Sequence, residues 1–172
     1  MPESLAILDT DVAILLLDTR KKLDEETYNR RDRVFAYIAD VQSKGARFLI
    51  TTPTVVELAA WPDGSVRAIS KMRQFVSGLR VCGLTIGGAQ TSGDILLTKL
   101  KPRPPGKSRD AIKFDALIAG IAHSREARWL ITGNAKDYKP LLATIKSRVE
   151  VVDIDAAPAK GQLTLADQTV TR

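Results

Sequence analysis

The chain has 172 residues with a single cysteine, which suits one domain large enough to bury a core without disulfides or structural metals. The lone Cys82 excludes a disulfide framework and favours a cytoplasmic protein. Lysine and arginine number 26 against 20 acids, a formal charge of +6, which fits a polyanionic partner and, equally, an ordinary solvated basic surface.

The first apolar run, residues 5 to 8, ends in Asp9-Thr10-Asp11 and passes into a short helix near 12 to 17. Strand, acid, helix is how open α/β sheets present ligands at the carboxyl ends of their strands. Asp9, Asp11 and Asp18 also cut the N-terminal apolar stretch into pieces too short to span a bilayer, so neither a membrane segment nor a signal peptide is expected. A long charged helix from about 25 to 43 follows, stopped at Gly45. Its Arg30, Arg31 and Arg33 read as a solvated face.

A strand over 47 to 51 breaks at Thr52-Pro53 and resumes as a helix near 54 to 60. Pro53 suits a first helical position, which puts Glu57 early in that helix, with Trp61 just beyond it. Next come a helix over 65 to 78, a strand near 80 to 86 carrying Cys82 as a small buried hydrophobe, and a helix near 89 to 100. The segment 101 to 109, with Lys101, Arg103, Lys107 and Arg109 among three prolines, is a basic loop that suits phosphate contacts or plain solvation.

Ser108 is placed to cap the next helix, which from 111 to 122 is apolar nearly all round. Asp115 interrupts it on the face of Ile112, Ala119 and Ala122, where an ionised carboxylate needs a partner. His123, the one histidine, falls at the exposed end of this helix. A strand over 128 to 132, the turn Gly133-Asn134-Ala135-Lys136-Asp137, a short helix from about Tyr138 and a strand near 149 to 153 complete the pattern. Strands alternate with helices, so the fold class is α/β: a single domain over 1 to 155 with a mostly parallel sheet flanked by helices. Residues 156 to 172 form a polar tail.

Asp9, Glu57 and Asp115 share one placement, at or just after a junction of strand and helix, and together they suggest a divalent metal site. Taken singly each has an ordinary reading: a helix cap for Asp9, a first-turn acid for Glu57, a salt bridge to Arg109 or Lys113 for Asp115. Their joint occurrence favours the site. Asn134 and Asp137 are candidates for a fourth contact, and Thr10 and Thr132 offer hydroxyls that hold carboxylate ligands in place. With one histidine, zinc and histidine acid/base chemistry are both disfavoured.

Four stretches, in order, carry a resemblance: Leu8-Asp9-Thr10-Asp11, Thr52-Pro53-Thr54-Val55-Val56-Glu57-Leu58, Phe114-Asp115-Ala116-Leu117-Ile118-Ala119, and Leu130-Ile131-Thr132-Gly133-Asn134-Ala135-Lys136-Asp137-Tyr138. Through them the chain resembles the PIN-domain ribonucleases, most of all the VapC-type toxins of toxin–antitoxin pairs. The resemblance implies a PIN-like fold and a metal-dependent endoribonuclease, with Mg²⁺ or Mn²⁺ held by Asp9, Glu57, Asp115 and a fourth residue. Asn134 occupies one of the family's positions for that residue and Asp137 the other. It also implies an RNA substrate, a cognate antitoxin and a homodimer. The family commonly has Asn where this chain has Asp11.

Three other readings stand beside it. One is a housekeeping PIN nuclease of RNA processing, and another a PIN-like domain that binds RNA or protein without cutting. Strand-Asp9-Thr10-Asp11 also resembles the opening of haloacid-dehalogenase-type phosphatases, but that family continues with Gly-Thr where this chain has Val12-Ala13.

Overall fold

The computed structural model describes residues 4–18, 24–60, 64–99 and 108–156. Trp61, Lys101, Arg103, Lys107 and the tail beyond Ala156 lie outside them. In chain order the elements are β1 (Leu5–Leu8), α1 (Thr10–Leu17), α2 (Glu25–Ser43), β2 (Arg47–Thr51), α3 (Thr52–Leu58), α4 (Gly64–Phe75), β3 (Arg80–Cys82), α5 (Ile86–Lys99), α6 (Arg109–Ser124), β4 (Trp129–Thr132), α7 (Ala135–Thr144) and β5 (Glu150–Asp153).

The five strands form one all-parallel sheet in the order β3-β2-β1-β4-β5. Successive residues of a strand face opposite sides, and here both sides are covered. Ala6, Leu8, Phe48, Ile50, Trp129 and Ile131 meet residues of α1, α2 and α4, including Leu16, Ile38 and Met72. Ile7, Leu49 and Leu130 instead meet α5, α6 and α7 through Ile95, Ile118 and Tyr138. Burial on both faces explains why β1, β2 and β4 read as unbroken apolar runs.

Local chemistry sets the ends of these elements. Asp24 and Ser108 accept from the backbone N–H of Thr27 and Ala111, capping α2 and α6. Gly45, at φ +75°, supplies the left-handed residue that ends α2. Thr51 caps α3 from the last position of β2, so strand and helix join without a loop and Pro53 falls at the second helical position. Glu57 is accordingly the sixth of seven residues, near the carboxyl end of α3 rather than early in it.

Three further expectations shift. Strand β3 has 3 residues, because after Cys82 the chain turns away and α5 starts at Ile86. Helix α7 starts at Ala135, a turn before the expected position, and contains Tyr138. The arginines of α2 are only part-exposed: Arg30 pairs with Asp155 at 2.7 Å, Arg33 donates to the Ile154 carbonyl at 2.9 Å, and Arg31 lies over the Phe35 ring. Arg30 and Arg33 thus tie α2 to the two residues that follow β5, while Phe35 is in α2 itself. Cys82 is buried as expected, and burial pushes its thiol up. His123 is half-buried, its Nδ1 3.1 Å from the Ser147 hydroxyl. No helix among the described residues is long and apolar enough to cross a membrane.

Helices α5 and α6 cross at Gly120. A Cβ there would overlap the Ser92 side chain and stand 2.6 Å from the Gly88 carbonyl oxygen. Because the second obstacle is backbone, Gly120→Ala is expected to destabilise the protein by roughly 1–3 kcal/mol, measured by urea denaturation. An unchanged midpoint would show that the two helices separate freely.

Candidate metal centre

In a parallel sheet ordered β3-β2-β1-β4-β5, the chain reverses its direction of winding between β1 and β4. Loops leaving the carboxyl ends of two such strands diverge and open a crevice, the usual ligand position in open α/β sheets. Asp9 and Asp11 enter it after β1, and Thr132, Gly133 and Asn134 after β4.

Asp9 is 6% exposed, and both its oxygens accept hydrogen bonds. Its Oδ1 accepts from the Thr10 backbone N–H and the Tyr138 hydroxyl, each at 2.8 Å, and its Oδ2 accepts from the Thr132 hydroxyl at 2.7 Å. The backbone N–H of Asp9 donates to the Ile131 carbonyl at 3.0 Å, pinning the end of β1 to β4. Asp11 accepts from its neighbour, the Val12 N–H, and across the crevice from the Gly133 N–H, both at 2.7 Å. The Thr10 hydroxyl donates to Glu57 and so draws α3 toward the same crevice.

Burial is the main force on all these acids. It pushes the Asp9 carboxyl up against the opposing pull of its Thr132, Tyr138 and Thr10 hydrogen bonds. Burial and the charge of Asp9 push Asp11 up to about 7, with Arg30 and two backbone N–H groups pulling the other way. Glu57 is raised by burial and by Asp9, and lowered by Thr10. Tyr138 is held well above the usual phenol range by burial and by the nearby Asp9, Asp115 and Asp11. It is therefore a fixed hydrogen-bond donor. The charge of Asp9 bears on Asp11, so the two acids titrate as a pair rather than singly.

The expected residues are thus placed as follows. Asp9 and Glu57 are linked through Thr10. Asp115 lies half-buried on α6, within electrostatic reach of Tyr138. Asn134 precedes α7 and gives its backbone N–H to the Thr132 hydroxyl at 2.9 Å. Asp137 is in the first turn of that helix. Thr10 and Thr132 hold carboxylates, as expected. Among the described residues, no three His, Cys, Asp or Glu side chains stand close enough together to hold an ion between them. The donors of the crevice itself, carboxylates and hydroxyls without nitrogen or sulfur, suit a hard divalent cation such as Mg²⁺ or Mn²⁺. A positive charge there would let both members of the Asp9–Asp11 pair ionise.

Two residues were not legible as parts of the site. In the sequence Tyr138 is read only as the start of a short helix, though a buried tyrosine hydroxyl needs a partner. Arg30 reads as solvated, yet a Cβ on Gly133 would meet both its Nη2 and Asp11 Oδ2 at 2.5 Å. The glycine gives these opposite charges room to approach one backbone position.

Two outcomes are expected of the metal-free protein. Tyr138→Phe, which leaves a buried carboxylate one donor short, costs about 1–3 kcal/mol, read from thermal unfolding near neutral pH. An acid raised from 3.8 to about 7 on folding binds its proton more tightly in the native state. The stability Asp11 contributes is therefore present at low pH and is lost as pH rises through about 7. Midpoints of unfolding should decline over that window in chelator, and Asp11→Asn should flatten the slope; a slope unchanged in the variant would remove Asp11 from the account.

No family model matches the sequence, and no curated protein matches it. Solved structures do. A chain of VapBC2 from Rickettsia felis bound to a DNA fragment from its promoter is 20% identical, with 87% of this chain and 99% of that one covered at a TM-score of 0.55. DNA-bound VapBC from Salmonella typhimurium gives 22% identity, 86% and 98% coverage and a TM-score of 0.54. VapBC-1 from nontypeable Haemophilus influenzae gives 25%, 88%, 98% and 0.56. Over most of its length the chain is similar to chains of VapBC toxin–antitoxin complexes, and its fold is the PIN-like α/β fold.

Proposed function

We propose that this protein is a metal-dependent endoribonuclease, the toxin of a VapBC-type pair, and that Asp9 is the centre of its active site. The observation that carries the reading is the crevice between β1 and β4, where buried Asp9 and half-buried Asp11 are held from the far wall by Thr132 and Gly133, and burial pushes both carboxyls up. Withdrawing two neighbouring acids from water is costly, and a cation that lets both ionise would give the arrangement a use. The likeness to VapBC structures supports a nuclease and a cognate antitoxin as partner, and the basic chain suits RNA as the substrate.

Asp9 and Asp115 are assigned to hold Mg²⁺ or Mn²⁺, directly or through water, with Asn134 or Asp137 completing the set. The bound ion would supply positive charge to the attacked phosphate and make water a stronger acid. Glu57, raised by its surroundings and fixed by the Thr10 hydroxyl, orients the attacking water and takes its proton. Thr132 and Tyr138 keep Asp9 in one rotamer by donating to separate oxygens. The polarity of α3 contributes too, because a carboxylate near a helix carboxyl end is disfavoured by the helix dipole. Glu57 is a better base for that placement.

A domain that binds RNA without cutting is the second reading. The observation in its favour is that no three acids among the described residues are within range of one ion. The two are separated by incubating purified protein with total cellular RNA and Mg²⁺ or Mn²⁺. Discrete cuts are expected, lost with EDTA and reduced at least about 100-fold in Asp9→Asn and Asp115→Asn. Wild-type rates in either variant would sink the assignment, and binding without cleavage would favour the second reading.

A further inference from the structure

The opposite end of the sheet carries a different chemistry. At or just before the amino ends of four strands stand arginines: Arg80 opens β3, Arg47 opens β2, Arg128 precedes β4, and Arg148 lies two residues before β5. Parallel register sets them along this end of the sheet, with Arg80 two residues further in than Arg47 because it pairs with Leu49. Leu5 pairs with Arg47, the Arg128 N–H donates to the Leu5 carbonyl at 2.9 Å, and the Glu150 N–H donates to the Arg128 carbonyl at 2.9 Å. Five strands spaced at about 4.8 Å make this row roughly 19 Å long.

Two clefts open along it. One, of about 460 Å³, is lined by Arg47, Arg80 and Arg125 over an apolar floor that includes Leu5 and Leu49. The other, of about 510 Å³, is lined by Arg128, Lys146 and Arg148 with His123, Ser147 and one acid, Glu126. The turn from Arg125 to Arg128 forms a wall of both. All six cations are exposed.

Structural duties account for only part of this charge. Arg125 donates to the Gly83 carbonyl and Arg128 lies over the Trp129 ring. Among the described residues, Arg80, Arg128, Lys146 and Arg148 make no salt bridge. The carboxyl ends of α2, α4, α6 and α7, each leading into a strand here, also carry partial negative charge, about half a unit each. Six cations exceed those four helix ends, Glu126 and Glu150 together.

We infer that this arginine-lined end of the sheet is a binding surface for the phosphodiester backbone of RNA, separate from the carboxylate crevice at the other end. Two polar clefts joined along a row suit a flexible strand carrying regularly spaced anions better than one small anion, and backbone contacts of this kind confer affinity without sequence preference. The inference takes RNA as the polyanion from the proposed activity but does not depend on cleavage.

The test is fluorescence anisotropy of a labelled 2′-O-methyl oligoribonucleotide with the full chain in EDTA, so that nothing is cut, across a series of salt concentrations. Arg128→Ala/Lys146→Ala/Arg148→Ala and, separately, Arg80→Ala/Arg125→Ala are compared with a control, Arg67→Ala/Lys113→Ala, placed on other faces. Each surface variant should bind at least about 10-fold more weakly, with a salt slope shallower by about 0.7 per lost contact, while the control stays near wild type and circular dichroism shows all variants folded. Equal losses in the control would overturn the inference, as would undiminished binding in both surface variants. So would tight binding of poly-glutamate with no binding of the oligonucleotide, since the surface would then serve an acidic polypeptide. Retained binding in a protein that cuts no RNA would leave this surface standing and remove only the cleavage reading.

Discussion

Everything in the crevice follows from placing a carboxylate where almost no water reaches it. Asp9 ends the central strand, and three donors from three parts of the chain converge on it: the Thr10 N–H, the Thr132 hydroxyl and the Tyr138 hydroxyl. Charge-assisted hydrogen bonds are the strong ones, but here they do not cancel the cost of burial, and the carboxyl stays raised. Asp11 adds a second carboxyl beside it, pushed up by burial and by the charge of Asp9. The sheet order makes this possible, because only at the junction of β1 and β4 do the outgoing loops leave space for side chains to turn inward.

The sheet has chemical as well as geometric polarity. Its carboxyl end gathers Asp9, Asp11 and, through Thr10, Glu57; its amino end gathers Arg47, Arg80, Arg128 and Arg148. A net charge of +6 hides this separation. The fields of the two ends differ in sign, and a polyanion approaching the molecule meets attraction at one end and repulsion at the other. A cation bound among the acids would relieve the repulsion.

Much of the architecture was legible because it is local. Apolar runs of four or five residues gave β1, β2 and β4, and the caps at Ser108 and Gly45 gave ends of α6 and α2. The expected parallel sheet and its PIN-like fold are what the structure has. Asp9 stands out by its position after a strand, and Thr10 and Thr132 as hydroxyls beside the acids, where the structure has them donating to Glu57 and Asp9. What escaped notice depends on distance in sequence. Tyr138 meets Asp9 across 129 positions and Arg30 meets Asp155 across 125, and no periodicity encodes such pairs. Glu57 was placed too early in its helix because Thr51, still in the strand, serves as the cap. Strand β3 was read too long because an apolar run does not show where its hydrogen-bonded partner ends.

The partners of Asp9 also fix an order of events during synthesis. Strands β1 and β2 emerge early from the ribosome and can pair, but Thr132 and Tyr138 come from the last quarter of the described chain. Until β4 docks beside β1 the crevice has only one wall, and a nascent chain carries its acids without the geometry that holds them. Long-range pairing thus acts as a timer: the crevice gains its second wall, and Asp9 its Thr132 and Tyr138 partners, only after β4 and α7 have been made.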